Sequence, residues 1–353
     1  MSFSSLRVLR PLLALAARTL AAVLATTLIV AALTAAVHVS PAAALSALGG
    51  GAFGSPFAWS GSLLRATPIL LTGLAVAWAF RAGLFNIGAE GQLLWGALAA
   101  AWVGSWKGLP PLIHVPLALL AGAVAGGFWA YPAALLKSRR GTPEVLSTLL
   151  LGFIAEFLTT YLANGPLHGP VQQGARTADL LPSAFLPSLE VVGLRLHWGL
   201  PLALMVAGGL GLAFWRSRFG FQLQVVGRNP DAARAVNLNV RRIWSLALVQ
   251  SGALAGLAGA IQILGALHYF QARFSPGYGF EGIPVAILGG NHPAGVVLAA
   301  LFWGGLANGA VEMESGVGVS RYLVVVIQAL VVLVVAAKRW PVSPRRAVAG
   351  GKP

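Results

Sequence analysis

Acidic and amide side chains are scarce in this sequence, and a few of them stand out because they interrupt apolar runs. In the string FNIGAEGQ, Asn86 and Glu90 are four residues apart, which would put them on one helical face, and Gln92 follows closely. Glu281 and Asn308 interrupt two later apolar runs. Such groups can line the path of a neutral, hydroxyl-rich solute, or they can join helices through hydrogen bonds. The sequence leaves both interpretations open.

Glu90 carries the strongest constraint of this set. A carboxylate inside the hydrocarbon of a bilayer costs on the order of 3 kcal/mol, so Glu90 must face protein or water and be paired or protonated. A role in the solute path or in gating is one interpretation. A structural hydrogen bond near the membrane surface, beside Arg81, is the other.

The sequence contains no motif for the common forms of catalysis. A phosphate-binding loop needs GxxxxGK followed by Ser or Thr, and a nucleophile elbow needs GxSxG; neither pattern occurs. There is no cysteine, and the six histidines form no HExxH pattern, so a metal site has no support. We therefore predict that the chain is not an enzyme, has no cofactor of its own and leaves any ATP hydrolysis to a partner.

The composition indicates an integral membrane protein. The 353 residues are 57% hydrophobic and only 9% charged, and the mean hydropathy is +0.79, whereas a soluble domain carries about 25% charged residues. The net charge of +15 comes from short basic clusters between apolar runs. Clusters of that kind set membrane topology, so nucleic acid is not expected as a partner.

The apolar runs predict an all-α, polytopic fold with about ten transmembrane helices in one membrane domain, residues 1–353, without internal repeats. The predicted segments are about 12–37, 63–80, 84–106, 112–136, 144–163, 197–215, 243–265, 283–290, 294–311 and 321–337. The first is too long for a cleaved signal peptide, which is its alternative interpretation. The uncharged stretch 40–61 is predicted to be an external loop, partly re-entrant.

One predicted segment, 283–290, is too short to span a bilayer. We therefore predict a broken helix there, with a turn at 289–293. Non-helical backbone at membrane depth is stable only where protein or a wet cavity satisfies it, so this region is a candidate wall of a solute path. Glycines spaced by four are predicted to let helices approach closely. The pairs are Gly122/Gly126, Gly252/Gly256 and Gly305/Gly309.

The distribution of basic residues predicts a multi-pass plasma-membrane protein with both termini in the cytoplasm. In that arrangement only six of the 24 Lys and Arg residues fall outside. The longest basic segment, residues 216–242, then becomes a cytoplasmic loop. Asn229 followed by Pro230 and Asp231 is a helix-start signal, so a short helix should run to about Asn237. It would present small side chains to a docking protein: Ala232, Ala233 and Val236. A merely solvated loop is the alternative.

Three stretches together resemble the permease subunits of ABC importers for ribose, branched-chain amino acids and nucleosides. They are FRAGLFNIGAEGQLLWGA (80–97), VGRNPDAARAVNLNVRRIWSLALVQSGALAGLAGA (226–260) and GYGFEGIPVAILGGNHPAGVVLAALFWGGLANGA (277–310). The resemblance covers about residues 60–337 and implies a type II-like permease fold. The form AGLFNIGAEGQ is most similar to nucleoside-type permeases. That resemblance implies three partners: a cytoplasmic ABC ATPase, a second permease subunit, and an extracytoplasmic solute-binding lipoprotein. The second subunit is expected to be a different chain, with a homodimer as the alternative, and membrane lipid is the remaining expected partner.

The resemblance also assigns a role to the short helix in the basic loop. Asn229, Ala232, Ala233 and Arg234 match the pattern N-x-x-A-A-R of the coupling helix that docks on the ATPase. Asn237 stands where many relatives have glycine, and Asn also tolerates left-handed backbone. The implied function is ATP-driven import of nucleosides through an interface between two permease subunits. Simple sugars and a vitamin are alternative solutes, and an ion-driven secondary transporter is the alternative class.

Overall fold

The computed structural model describes residues 3–36, 38–170, 174–320 and 322–337. Thirteen α-helices, a 3₁₀ turn (Pro182–Ala184), a π-helical turn (Ile263–Leu267) and one short β-hairpin make up the regular structure of these residues. The helices are α1 (Phe3–Ala36), α2 (Pro41–Phe53), α3 (Pro56–Arg81), α4 (Ala89–Gly104), α5 (Pro111–Arg140), α6 (Glu144–Asn164), α7 (Gly199–Arg216), α8 (Arg218–Arg228), α9 (Pro230–Ala235), α10 (Val240–Gln262), α11 (Tyr278–Leu288), α12 (Pro293–Val317) and α13 (Tyr322–Ala337). The strands are β1 (Ser188–Val191) and β2 (Leu194–His197).

Every predicted membrane segment overlaps a helix in the described residues, so the all-α prediction is confirmed in outline. Within the described residues, six helical segments are long and apolar enough to cross a bilayer alone. They are α3, α5, α6, α7, α12 and the segment Val240–Leu267, in which α10 continues into a π-helical turn. The prediction of about ten crossings therefore remains a prediction, because α4 and α11 are shorter helices.

The predicted external loop at 40–61 is wrong, because most of this stretch is helical. Ser40 caps α2 and Ser55 caps α3, each by accepting a hydrogen bond from a backbone amide. The buried side of α2 packs on α12, where a Cβ on Gly309 would lie 2.2 Å from the Leu48 carbonyl oxygen. A run of Gly, Ala and Ser resembles a loop in composition. In a membrane protein the same small residues allow close helix contact.

Glycines at the centre of the bundle confirm the predicted close packing of helices. A Cβ on Gly126 would lie 2.4 Å from the Gly252 carbonyl oxygen, and one on Gly256 would lie 2.3 Å from that of Gly122. These contacts join α5 and α10 as antiparallel neighbours. Between α12 and α2, Gly309 meets the backbone in the same way, whereas Gly305 makes room for the Phe53 ring.

The predicted broken helix is confirmed, and α4 proves to be a second shortened helix. Helix α11 has 11 residues, begins after Gly277 at a positive φ of 107°, and ends where the chain turns through residues 289–292. The prediction of a helix starting at 84 is wrong. Residues 82–88 are non-helical because Gly83 has a φ of 73° and the Asn86 side chain accepts the Gly88 amide hydrogen bond.

The two ends of the bundle differ in chemistry. One end, which we call the basic face, carries the end of α3, the end of α5, the start of α6, and helices α8 and α9. Residues 165–170 and 174–197 lie at the opposite end and include the β1–β2 hairpin, which the all-α prediction missed. The hairpin is held on α3 because the Arg195 amide donates to the Ser60 hydroxyl at 2.9 Å.

Candidate functional site

The amide pair from the string FNIGAEGQ forms a closed hydrogen-bond knot. Asn86 Nδ2 donates to Gln92 Oε1 and to Ser251 Oγ, each at 2.8 Å, and Asn86 Oδ1 accepts from Gln92 Nε2 and the Gly88 amide. The Ser251 hydroxyl donates onward to the Ala75 carbonyl at 2.7 Å. Asn86 and Gln92 are buried, and Asn86 uses its full donor and acceptor capacity. We call this the amide knot; it joins α3, α4 and α10.

Glu90 does not share a helical face with Asn86, because Asn86 precedes the start of α4. Its carboxylate instead accepts a hydrogen bond from the Gly279 amide at 2.6 Å. A Cβ on Gly279 would lie 2.2 Å from the Glu90 backbone nitrogen. The first turns of α4 and α11 therefore meet backbone to backbone, and the carboxylate lies at the amino ends of both helices. Negative charge is stabilised there by free amides.

Glu90 forms a structural hydrogen bond, as one of the two interpretations held, but its partner is the Gly279 amide, whereas Arg81 binds other groups. Glu90 contacts the first turn of α11, which carries Tyr278 and Glu281, and the charges of Glu90 and Arg65 are near enough to act on both of those groups. The Arg65 guanidinium donates to Asn308 Oδ1 at 3.3 Å. The side chains of Arg65, Glu90, Tyr278, Glu281 and Asn308 thus form one polar cluster, drawn from α3, α4, α11 and α12. We call it the polar cluster.

The polar cluster contains unused binding capacity. Glu281 Oε2 is buried and has no hydrogen-bond partner among the described residues. Asn308, in contrast, is fully engaged, because its Nδ2 donates to the carbonyls of Gly51 and Ala58. Asn308 therefore holds Arg65 in place, while Glu281 is free to accept hydrogen bonds from another molecule. A carboxylate can accept several donors at once.

Arg65 was not among the residues predicted from the sequence, because the predicted span began at residue 63 and placed Arg65 at the external surface. In the structure α3 begins at Pro56, so Arg65 lies well inside the helix. A signal was available: an arginine within a long apolar run is rare and is usually paired or functional. The five polar residues singled out from the sequence fall into two groups in the structure. Glu90, Glu281 and Asn308 come together, and Asn86 and Gln92 form the separate amide knot.

The short helix in the basic loop forms as predicted, although it ends two residues earlier. Helix α9 spans Pro230–Ala235, and the Asn229 side chain accepts hydrogen bonds from the amides of Asp231 and Ala232, each at 3.0 Å. Asp231 also pairs with Arg234 on the outer surface. Asn237 has a φ of 59°, so it adopts the left-handed backbone that glycine would supply. This conformation lets the Leu238 amide donate to the Ala233 carbonyl at 3.0 Å.

Ala233 does not lie on the outer side of α9. It is fully buried against Val226, Val240 and Ile243, whereas Val236 is 65% exposed. The prediction that Ala233 offers a docking surface is therefore wrong, because a six-residue helix needs one face to anchor it. The exposed side is formed by other residues: Asp231, Ala232, Arg234, Ala235 and Val236.

Arg81 connects the basic loop with the shortened helices. Its Nε donates to the Asn291 carbonyl at 2.9 Å, in the turn between α11 and α12, and a terminal nitrogen donates to Gln224 of α8 at 3.3 Å. Its backbone carbonyl lies 2.1 Å from where a Cβ on Gly227 would be. Gly227 is three residues before α9. The end of α8, the α3–α4 turn and the α11–α12 turn therefore meet at Arg81, which we call the Arg81 joint.

Glu144 stabilises the same region from α6. It lies in the first turn of that helix, as predicted, and its carboxylate pairs with Lys137 at 2.7 Å. The other carboxylate oxygen accepts the Phe85 amide at 3.2 Å, and the Thr148 hydroxyl accepts the Ile87 amide at 3.2 Å. These bonds fix the non-helical residues 82–88, which carry the amide knot.

Comparison with known sequences places this architecture in a family. The sequence pattern of the branched-chain amino acid transport system / permease component family matches residues 58–336. The guanosine ABC transporter permease protein NupP of Bacillus subtilis is 41% identical over 301 residues, covering 84% of this chain and 86% of that protein. The glucose ABC transporter permease protein TsgB13 of Haloferax volcanii is 40% identical over 288 residues, covering 79% and 76%. The nucleoside ABC transporter permease protein NupB of Lactococcus lactis is 32% identical over 301 residues, covering 81% of each.

These relatives are permease proteins rather than enzymes, in agreement with the prediction for this chain. An ABC permease subunit works with an ATPase and a solute-binding protein. Together with the six apolar helices, the relatives indicate a multi-pass protein of the plasma membrane. The chain thus belongs to the branched-chain amino acid transport system / permease component family of ABC transporter permeases.

Proposed function

We propose that the chain is the permease subunit of an ATP-driven importer for nucleosides. The observation that carries the solute class is its 41% identity, over 84% of the chain, to a permease for guanosine. The basic face is cytoplasmic in this proposal, as are both termini, because short loops rich in Lys and Arg stay inside. The whole chain acts as one permease domain, which pairs with a second, different permease subunit and receives solute from an extracytoplasmic binding lipoprotein.

The polar cluster is the proposed contact point for solute. A nucleoside presents ribose hydroxyls and base N–H groups, which are donors that the free oxygen of Glu281 can accept. A cavity of about 440 Å³ beside Asn308, between α2, α3 and α12, supplies an approach from the opposite end of the bundle. Asn86, at the centre of the amide knot, has no free capacity. The amide knot is therefore left out of the solute path.

The exposed side of α9 is the proposed docking surface for the ATPase. Docking forces on α9 would reach α8 and α10 through the buried contacts of Ala233. They would then reach the α3–α4 and α11–α12 turns through the Arg81 joint. In this mechanism nucleotide binding in the partner shifts the equilibrium between two states of the permease, because it contacts α9 differently in each.

Uptake measurements test the solute class directly. Cells that express the permease with its ATPase, second permease and binding protein should accumulate labelled guanosine, and an ATPase variant without hydrolysis should abolish the signal. Glucose is the second candidate, favoured by the 40% identity to a glucose permease. Uptake of glucose but not guanosine would overturn the nucleoside assignment. Uptake by the lone chain in vesicles would instead support an ion-driven transporter.

The docking surface can be tested by replacing an exposed valine with aspartate at two different places on the protein. Val236→Asp puts a charge on the exposed side of α9, and Val192→Asp puts the same charge on the 91%-exposed turn of the β-hairpin. We expect Val236→Asp to reduce ATPase copurification and uptake at least tenfold, with normal membrane insertion. Val192→Asp should change neither. Normal copurification of the Val236 variant would exclude this surface. Ala233→Asp is unsuitable, because it would bury a charge in the loop.

A further inference from the structure

A groove between α7 and α12 lies outside the proposed transport steps. Its volume is about 710 Å³. The α7 wall includes Leu204, Gly208 and Leu212, and the α12 wall includes Val297 and Leu298. These side chains offer no hydrogen bonds. The groove is therefore a binding surface for an apolar chain.

The position of the groove makes it open to the bilayer. Both of its walls are helices that are apolar and long enough to span a membrane. Trp215, at the end of α7 on the basic face, is 55% exposed, and exposed Trp is typical of the headgroup level of a membrane. Nothing lies within 4 Å of where a Cβ on Gly208 would be. The described residues of the chain therefore leave the groove unfilled at membrane depth.

The end of the groove at the basic face is polar and positively charged. Arg216 lines it, is exposed, and forms no ion pair among the described residues. His292 also lines it, and its Nδ1 is buried without a hydrogen-bond partner in the described part of the chain. The rings of Trp215 and His292 lie 4.7 Å apart. The groove is apolar along most of its length and basic at one end. An anionic lipid has the matching arrangement of an apolar chain and a charged headgroup.

We propose that this groove binds an acyl chain of an anionic phospholipid from the leaflet at the basic face, with the phosphate beside Arg216. Charge complementarity favours this occupant, because basic pockets between transmembrane helices attract anionic headgroups. An uncharged protein helix would leave Arg216 and His292 without partners. A lipid phosphate satisfies the guanidinium, and its neighbouring oxygens are within the polar end that His292 lines.

The site adjoins the Arg81 joint. His292 directly follows Asn291, whose carbonyl accepts the hydrogen bond from Arg81, and it immediately precedes the start of α12. Phe214 lies on α7, which forms one wall of the groove, and its ring centre is 5.1 Å from the guanidinium carbon of Arg81. A bound lipid therefore contacts the elements that meet at this joint. Its presence would stiffen the α11–α12 turn.

Two glycine substitutions provide a matched test of chain binding. Gly208→Leu fills the groove, whereas Gly209→Leu adds the same side chain at the next residue of α7, outside the groove; both positions have open space around them. Full-length permease, purified with its partners in mild detergent, is incubated with phosphatidylglycerol and examined by native mass spectrometry. We expect Gly208→Leu to lower bound phosphatidylglycerol at least fivefold and Gly209→Leu to leave it unchanged.

The headgroup is tested separately with Arg216→Gln. This variant should bind phosphatidylglycerol about fivefold more weakly, as expected for one arginine near an anionic headgroup. Its binding of phosphatidylcholine should not change. Equal lipid retention by the wild type and Gly208→Leu would overturn the proposal. So would a Gly208→Leu variant that loses the second permease subunit but keeps its lipid, because the groove would then be a protein interface.

Discussion

The amide knot and the polar cluster lie near each other on α4 but differ in how completely they are paired. Asn86 uses every donor and acceptor it has on groups of the protein. Glu281 leaves a buried oxygen without a partner among the described residues. Both sets are polar groups in a membrane bundle, where unpaired groups are costly. The comparison teaches that completeness of hydrogen bonding separates a structural joint from a candidate binding site.

The largest expected effect comes from Gly279→Ala, which attacks the contact between the two shortened helices. The new Cβ would lie 2.2 Å from the Glu90 backbone nitrogen, which is too close for two non-bonded atoms. We expect at least about 4 kcal/mol of destabilisation, because neither backbone can move freely. The folded permease should not accumulate in membranes, as measured by detergent extraction and gel filtration. Gly49→Ala, which has open space, is the control. A normal yield of the Gly279 variant would refute the contact.

Asn86→Ala should break the amide knot without touching the proposed solute path. The change leaves Gln92 and the Gly88 amide without their buried partner, which costs about 3 kcal/mol. The thermal unfolding midpoint in detergent should fall clearly. Guanosine uptake, normalised to the amount of folded permease, should stay the same. A large loss of uptake by correctly folded protein would place the knot in the path and remove the contrast.

His197 extends the comparison to the end opposite the basic face, because it is buried and only one of its two ring nitrogens has a partner in the described residues. Its Nδ1 accepts the Gly199 amide, and its Nε2 has no partner among the described residues. Burial, with nearby His268, lowers the pKa of His197 from 6.5 to about 4.

Because the fold favours the neutral ring, its stability contribution is complete above pH 6.5 and is lost as the pH falls toward 4. We expect a loss of about 2 kcal/mol at pH 5. Thermal unfolding midpoints of the wild type should decline over this range. In His197→Gln the decline should be much smaller. An identical decline in both proteins would assign the pH dependence to other groups.

Glu281→Gln is expected to have the smallest energetic effect and to be the most specific. The amide has the shape of the carboxylate but one acceptor oxygen fewer, so guanosine uptake should fall about tenfold, or about 1.4 kcal/mol. The unfolding midpoint should not fall. Glu156→Gln, at a partly exposed acid that faces Arg273 at 3.6 Å, is the control and should transport normally. Unchanged uptake by the Glu281 variant would remove it from the path.

Much of the fold followed from the sequence because the bilayer restricts the choices. Apolar length predicted the helices, the shortness of 283–290 predicted α11, and Asn229-Pro230-Asp231 predicted the start of α9. The glycine pairs predicted close helix contact. Each of these signals is local, or depends only on the solvent around the chain.

Two of the wrong predictions depended on contacts between distant residues, and two depended on the limits of a helix. Residues 40–61 were predicted to be a loop because their packing partner on α12 cannot be read from composition. Asn86 binds Ser251 of α10 and so belongs to a different polar group from Glu90, although Asn86 and Glu90 are close in the sequence. Ala233 was placed outward because a short helix gives too little periodicity to identify its buried side. Arg65 was assigned to the surface because the start of α3 was placed too late.

The touching ends of α4 and α11 also define what a transport cycle must do. With Glu90 held to the Gly279 amide, the first turns of α4 and α11 are joined inside the bundle. Any movement of α11 relative to α4 has to break this connection. It also has to release the hydrogen bond from the Thr72 hydroxyl to the Tyr278 carbonyl and the close contact between Gly282 and Thr72, so α11 can shift freely only if α3 moves with it.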